Sequence, residues 1–182
     1  MSTSTAIADP LELKAQEEAE LQRLFRMYRR ESSRCVKSGA NLAACIMSGA
    51  ALEVLLMLAV SVFSDEAAAT GQLPKKKNAP KPLLDWNLGE LLLVAKAAGW
   101  LPAGLSLTDK WDHRKAKLGD YSEVVRMIRN LLHPARYIED NFKKRITKKH
   151  PQFCREILSL VTDTLLSKIG KSIDLELDNT EN

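Results

Sequence analysis

Glycine and proline are scarce, at 8 and 7 residues in a chain of 182. So few turn formers leave little room for a fold built from many short strands, and long stretches keep helical periodicity. Cysteine is scarce too: Cys35, Cys45 and Cys154 make an odd count and show no metal-ligand spacing. That argues against a secreted disulfide framework and for three small buried or half-buried side chains. Net charge is only +4, which permits an anionic partner without demanding one. There is no Gly-rich phosphate loop, no HExxH, no CxxC and no nucleophile elbow. Nothing resembles a secretory signal, because the N-terminus is polar and the first long apolar run begins after residue 40. A cytoplasmic protein is the expectation, with no cofactor and no metal.

What is present is apolar periodicity. Hydrophobic residues make up 45% and charged residues 27%, an ordinary globular composition. The expectation is an all-α bundle of about five helices. Residues 1–8 read as a disordered N-terminus, 9–173 as one helical domain, and 174–182 as an acidic flexible tail. Asp9-Pro10 suggests a helix start, with a first helix to about Ser33. Its apolar stripe is Leu13, Leu21, Leu24, Phe25 and Tyr28. Its second half is basic, with Arg23, Arg26, Arg29, Arg30 and Arg34: a solvated face, or more pointedly a surface toward RNA.

The run Leu42 to Phe63 is long enough to span a bilayer. Glu53 at its centre and the diluting Ser48, Gly49 and Ser61 argue instead for a central buried helix from about Ser38 to Phe63. Glu53 then needs a partner inside the bundle, and an arginine farther along the chain is the natural one. Residues 64–84, with Lys75, Lys76, Lys77 and Lys81, read as a flexible solvated loop that would guide RNA if it lay beside a site. A third helix is expected from Asp85, as cap, to Ala98. Gly99 would stop it and Trp100 would pack back on the core. Residues 101–119 read as a turn and an irregular piece, with His113 at the surface. A last helix is expected over Pro151 to Ile169.

The segment Asp120 to Tyr137, DYSEVVRMIRNLLHPARY, carries the chemistry. Asp120 and Glu123 suit a capped helix start, and Pro134 ends or kinks the helix. Val124, Val125, Ile128, Leu131 and Leu132 form one face. Arg126, Arg129, Asn130 and His133 form the other, about one turn apart. Arginine presents a rigid fork of donors to phosphate, and histidine titrates near neutral pH. Those groups hold a phosphodiester and move a proton. A solvated polar face is the plainer reading, but such faces usually mix lysine with glutamate. Downstream, Lys143, Lys144, Arg145 and Lys148 form a dense basic cluster suited to RNA.

The run ALEVLLMLAV, the stretch NLGELLLVAKAAGWL and above all RNLLHP within IRNLLHPARY resemble HEPN domains (higher eukaryotes and prokaryotes nucleotide-binding). The resemblance covers about residues 35 to 165. It implies a four- or five-helix bundle that dimerises, and a metal-independent endoribonuclease of the kind found in toxin–antitoxin and antiphage systems. The family motif is an arginine, four to six residues, then a histidine, with a polar residue after the arginine. His133 matches the histidine and Asn130 the polar residue. Arg129 precedes Asn130 but has three residues between it and His133; Arg126 has six, yet is followed by Met127. Both arginines stay as candidates. The implied partners are RNA, a second copy of the chain, and an antitoxin or other protein, with no membrane. The alternative is a non-catalytic HEPN-like module that binds a nucleotide, nucleic acid or a partner protein.

Overall fold

Helix α2 (Asn41–Val62) organises the fold because it has no polar side to turn outward. Among the described residues it is the one helix long and apolar enough to cross a membrane by length and composition. Here it is the core. The computed structural model describes residues 10–101 and 147–180, with side chains as far as Ile169. Within these residues there are five helices and one two-stranded ribbon. The all-α bundle expected from periodicity is therefore the observed class.

Helix α1 (Ala15–Lys37) lies along α2 as an antiparallel hairpin. The turn is short because Gly39 takes a left-handed conformation (φ +76°). There the amide of Ala40 donates back to the carbonyl of Cys35. Small residues let the two helices approach. Ser32 is buried against α2, and its hydroxyl lies 2.9 Å from that of Ser48 and 3.1 Å from the carbonyl of Ala44. Ser48 also reaches that carbonyl at 3.0 Å, so both buried hydroxyls are satisfied.

The first helix starts later than the Asp9-Pro10 signal suggests. Residues 10 and 11 form a turn and 12–14 are irregular, and Leu11 and Leu13 both insert into the core. The Pro10 carbonyl accepts from the amide of Leu83 at 3.0 Å. Burial of the leucine pair outweighs a good local helix start. The helix also runs past Ser33 to Lys37, since Gly39 is the first stop signal it meets.

The connection over 64–84 is structured along most of its length, which corrects the expectation of a flexible loop. It holds α3 (Ser64–Ala69), strands β1 (Lys75–Lys76) and β2 (Ala79–Pro80), and a short 3-10 turn over Leu83–Asp85. Lys77 and Asn78 both have positive φ, 51° and 66°, the geometry of a tight two-residue hairpin turn. Asp85 lies in the 3-10 turn and does not cap α4 (Leu88–Ala97); Asn87 does. Its side chain accepts from the amide of Glu90 at 3.1 Å, and Glu90 accepts from the Asn87 amide at 2.7 Å. The other end follows expectation. Gly99 (φ +70°) ends α4, and Trp100 folds back to be 2% exposed.

Helix α5 (Lys149–Thr180) is longer than the expected last helix, continuing beyond Ile169 into the acidic segment. Phe153, Ile157, Val161 and Leu165 are its buried stripe against α2. A side-chain cluster fastens it to α3. Lys168 donates to one oxygen of Glu66 and the Trp100 indole to the other, each at 2.8 Å. The Lys168 ammonium also sits 4.7 Å from the centre of the Phe63 ring. Partial burial alone would raise the Glu66 carboxyl. The hydrogen bonds from Lys168 and Trp100 outweigh it and hold the group below its ordinary range.

A lowered carboxyl stabilises the fold above its unfolded-state value and loses that contribution as pH falls through its folded value. The melting temperature of the wild type should therefore exceed that of Glu66→Gln at neutral pH. The gap should close on acidification below pH 4.5. A pH-independent gap would show that the carboxylate charge is not what fastens α5 to α3.

Candidate nucleic-acid interface

The expected ladder of Arg126, Arg129, Asn130 and His133 lies outside the described residues, as do Lys143, Lys144 and Arg145. The 101–119 piece beyond Leu101, residues 1–8 and the last two residues lie outside them as well. Two expected site residues are described. Lys148 is exposed in the turn that leads into α5. Glu53 is half-buried, so the expectation of a largely buried carboxylate is met only in part. The reason is its position. In the first two-thirds of α2 the half-buried positions are Asn41, Leu42, Ala43, Ile46, Met47, Ala50 and Glu53, and from Ala43 onward these form one stripe at helical spacing. The acid of α2 sits on its least covered side.

The basic half of α1 divides into two kinds of arginine. Arg23 is held by Glu20 and Arg34 by Glu31, each one helical turn back. Exposed pairs of this kind add little to stability, but they neutralise local charge. Arg26, Arg29 and Arg30 have no acid three or four residues away on α1. All three are exposed, and none forms an ion pair with a described carboxylate. Like charges at this spacing repel by about 0.2–0.5 kcal/mol per pair, so the cluster is mildly unfavourable to the helix that carries it. Arg29 is the oriented member. Its guanidinium lies 5.4 Å from the centre of the Phe25 ring.

Arg29 lines a cleft of about 340 Å³ between α1 and α5. Ser32 and Ser33 complete the α1 wall, and Gln152, Arg155, Glu156 and Ser159 supply the other. These four fall at i, i+3, i+4 and i+7, one polar face of α5 opposite its buried stripe. Buried Leu158 lies at its base. The pairing of Ser32 with Ser48 anchors the α1 wall to α2. The cleft thus brings together two arginines from distant parts of the chain, three hydroxyls, one amide and one carboxylate. Sequence reasoning found the α1 arginines but missed Gln152, Arg155, Glu156 and Ser159. The available signal was their spacing opposite Phe153, Ile157 and Val161.

The lysines of the 64–84 connection are not equivalent. Lys75 and Lys77 are exposed on the hairpin. Lys76 reaches Asp85 at 3.4 Å across solvent. Lys81 is half-buried, donating to both oxygens of Glu90 at 3.0 and 2.8 Å, while its carbonyl accepts from the Trp86 indole at 2.8 Å. Lys81 therefore joins the hairpin to the start of α4 and is not free to guide RNA. Cys45 and Cys154 are wholly buried, and Cys35 is half-buried, as their composition suggested. The Cys45 thiol beside it, together with burial, pushes the Cys154 thiol up, so it stays protonated and inert. Among the described residues no group of three His, Cys, Asp or Glu side chains is placed to hold a metal ion.

Comparison with protein-family models, with curated proteins and with solved structures finds no significant match to this chain. The chain is thus defined by what it contains: an all-α bundle around an apolar helix, with an arginine face that no described carboxylate neutralises beside a polar cleft.

Lys81→Met should lower stability by about 1 kcal/mol, because it strips a half-buried carboxylate of its charged partner. Lys75→Met, on the exposed hairpin, should change stability by less than about 0.5 kcal/mol. Chemical denaturation of the two variants separates these outcomes. Equal effects would return the segment to a solvated loop.

Proposed function

We propose that the protein is a HEPN-like, metal-independent endoribonuclease whose active site is completed at a homodimer interface. One observation of sequence carries the reading: Arg126, Arg129, Asn130 and His133 recur at i, i+3, i+4 and i+7, interleaved with Val124, Val125, Ile128, Leu131 and Leu132, the spacing expected of an amphipathic helix, in an all-α chain. The observed helical class and the unneutralised arginines of α1 are consistent with it.

The chemistry follows from the residue types. The RNA 2′-hydroxyl attacks the adjacent phosphorus, the bond from phosphorus to the 5′ oxygen breaks, and the products are a 2′,3′-cyclic phosphate and a 5′-hydroxyl. His133 removes or supplies the proton, near its unperturbed pKa of about 6.5. Arg126 and Arg129 stay charged at all working pH values and stabilise negative charge building on the phosphate oxygens. Asn130 orients the phosphate. One ladder offers one imidazole, whereas in-line transfer benefits from both a base and an acid, so a second copy of the chain supplies the other. Lys143, Lys144, Arg145 and Lys148 would track the RNA backbone, and Glu53 would support the ladder from α2.

The test compares wild type and His133→Ala on one RNA with a chelator present. Wild type should cut, and the variant should cut about 10²- to 10⁴-fold more slowly at an unchanged melting temperature. A variant that retains full cleavage removes His133 from the chemistry. Wild type that binds RNA without cutting it points to the non-catalytic HEPN-like module instead. Light scattering at micromolar concentration should report a dimer, and a strictly monomeric species counts against the shared site.

A further inference from the structure

The cleft between α1 and α5 is not accounted for by the ladder, and its composition is specific. Arg29 and Arg155 face it from opposite walls, and neither is tied up by a described carboxylate. Arg29 is held in place by the Phe25 ring, so less conformational freedom is lost when a ligand is gripped. Arg26 and Arg30 flank Arg29 on the same face of α1 and add to the positive field. Ser159 and Gln152 offer further neutral donors, while the Ser33 hydroxyl already donates to the Arg29 carbonyl. The volume, about 340 Å³, suits one nucleotide unit.

We propose that this cleft binds a ribonucleotide phosphate, with Arg29 and Arg155 gripping the phosphate from both sides. Glu156 fixes the kind of ligand. A carboxylate in the cleft accepts hydrogen bonds, and ribose hydroxyls and base amino groups donate them. An acidic peptide, the main competing anion, brings carboxylate side chains that only accept and so give Glu156 no donor like a ribose hydroxyl. The phosphate belongs to an RNA strand or to a free nucleotide, two sources of one chemistry. The strand is favoured by Arg26 and Arg30, which extend the basic face beyond a single nucleotide. As a backbone subsite built from residues of α1 and α5, none of them in the ladder, the cleft deepens the ribonuclease reading and rests on it for the choice of RNA.

The experiment uses full-length protein carrying His133→Ala, so that binding is read without cleavage. Fluorescence anisotropy follows a labelled single-stranded oligouridylate at several salt concentrations. Arg29→Gln with Arg155→Gln should weaken binding at least about tenfold and reduce the salt slope by about 0.7–1.4, one to two phosphate contacts. Arg155→Lys, which keeps the charge and loses the fork, should fall between. Arg23→Gln, whose wild-type side chain is already held by Glu20, should bind like the parent. Both cleft arginines are exposed, so melting temperatures should hold; if the double variant unfolds, Arg155→Lys carries the test. Displacement by millimolar adenosine monophosphate would assign the cleft to free nucleotide, and resistance to it would assign the cleft to a strand. Parental affinity and salt slope in both cleft variants would overturn the proposal. The two readings fail separately. Wild type that never cuts RNA, with binding lost in the cleft variants, removes the nuclease and keeps the cleft. Unchanged binding in those variants, together with cleavage at unchanged KM when the same cleft substitutions are made in protein that keeps His133, does the reverse.

Discussion

Helix α2 must be covered, and most of the fold follows from that requirement. Each large apolar side chain it buries contributes about 1.5–3 kcal/mol, whereas the solvent-screened pairs on α1 add little. Leu52, Leu56 and Val60 are fully buried, and among the described elements α1, α4 and α5 pack most extensively against α2. Leu11 and Leu13 are drawn into the same core at the expense of an earlier helix start. Close approach by α1 is allowed by Ala44, Ser48 and Gly49, all buried, and made specific by the hydroxyls of Ser32 and Ser48. An apolar core alone tolerates sliding; a satisfied buried polar pair fixes the register.

Because α1 and α5 are both positioned by α2, the distance between their outer faces is fixed as well. Arg29 and Arg155 meet across a cleft because the buried stripes beneath them meet the same helix. The ring of Phe25 and the anchored Ser32 remove freedom from one wall. The cluster of Glu66, Lys168 and Trp100 fastens the far end of the described part of α5 to α3. A recognition surface on rigid helices in this way holds its donors in place before a ligand arrives.

The parts of the fold legible in the sequence are those set by strong local signals. Uniform apolarity marked α2, and Gly99 followed by Trp100 marked the end of α4 and its return to the core. Boundaries decided by tertiary contacts were not legible. Asp9-Pro10 is a good start that burial of Leu11 and Leu13 overrides. Asp85 and Asn87 are both good caps, and only Asn87 has Glu90 three residues on. The lysine-rich connection looked solvated by composition, yet Lys81 is claimed by Glu90. Of the candidate site, the α1 arginines were legible as a basic face. Their partner Arg155 was not, since nothing local says that α5 lies beside α1. The ladder was legible as a motif, and its placement lies outside the described residues.

In the proposed reaction the 2′-hydroxyl attacks its own phosphodiester while an imidazole moves the proton and arginines stabilise the charge. That chemistry uses the RNA's own 2′-hydroxyl and so writes its signature on the product ends. Mass spectrometry of RNA cut by the wild-type protein in the presence of chelator reads those ends directly. The account predicts a 2′,3′-cyclic phosphate on one fragment and a 5′-hydroxyl on the other. A 3′-hydroxyl with a 5′-phosphate would mean that water or another external nucleophile attacks, and would contradict it.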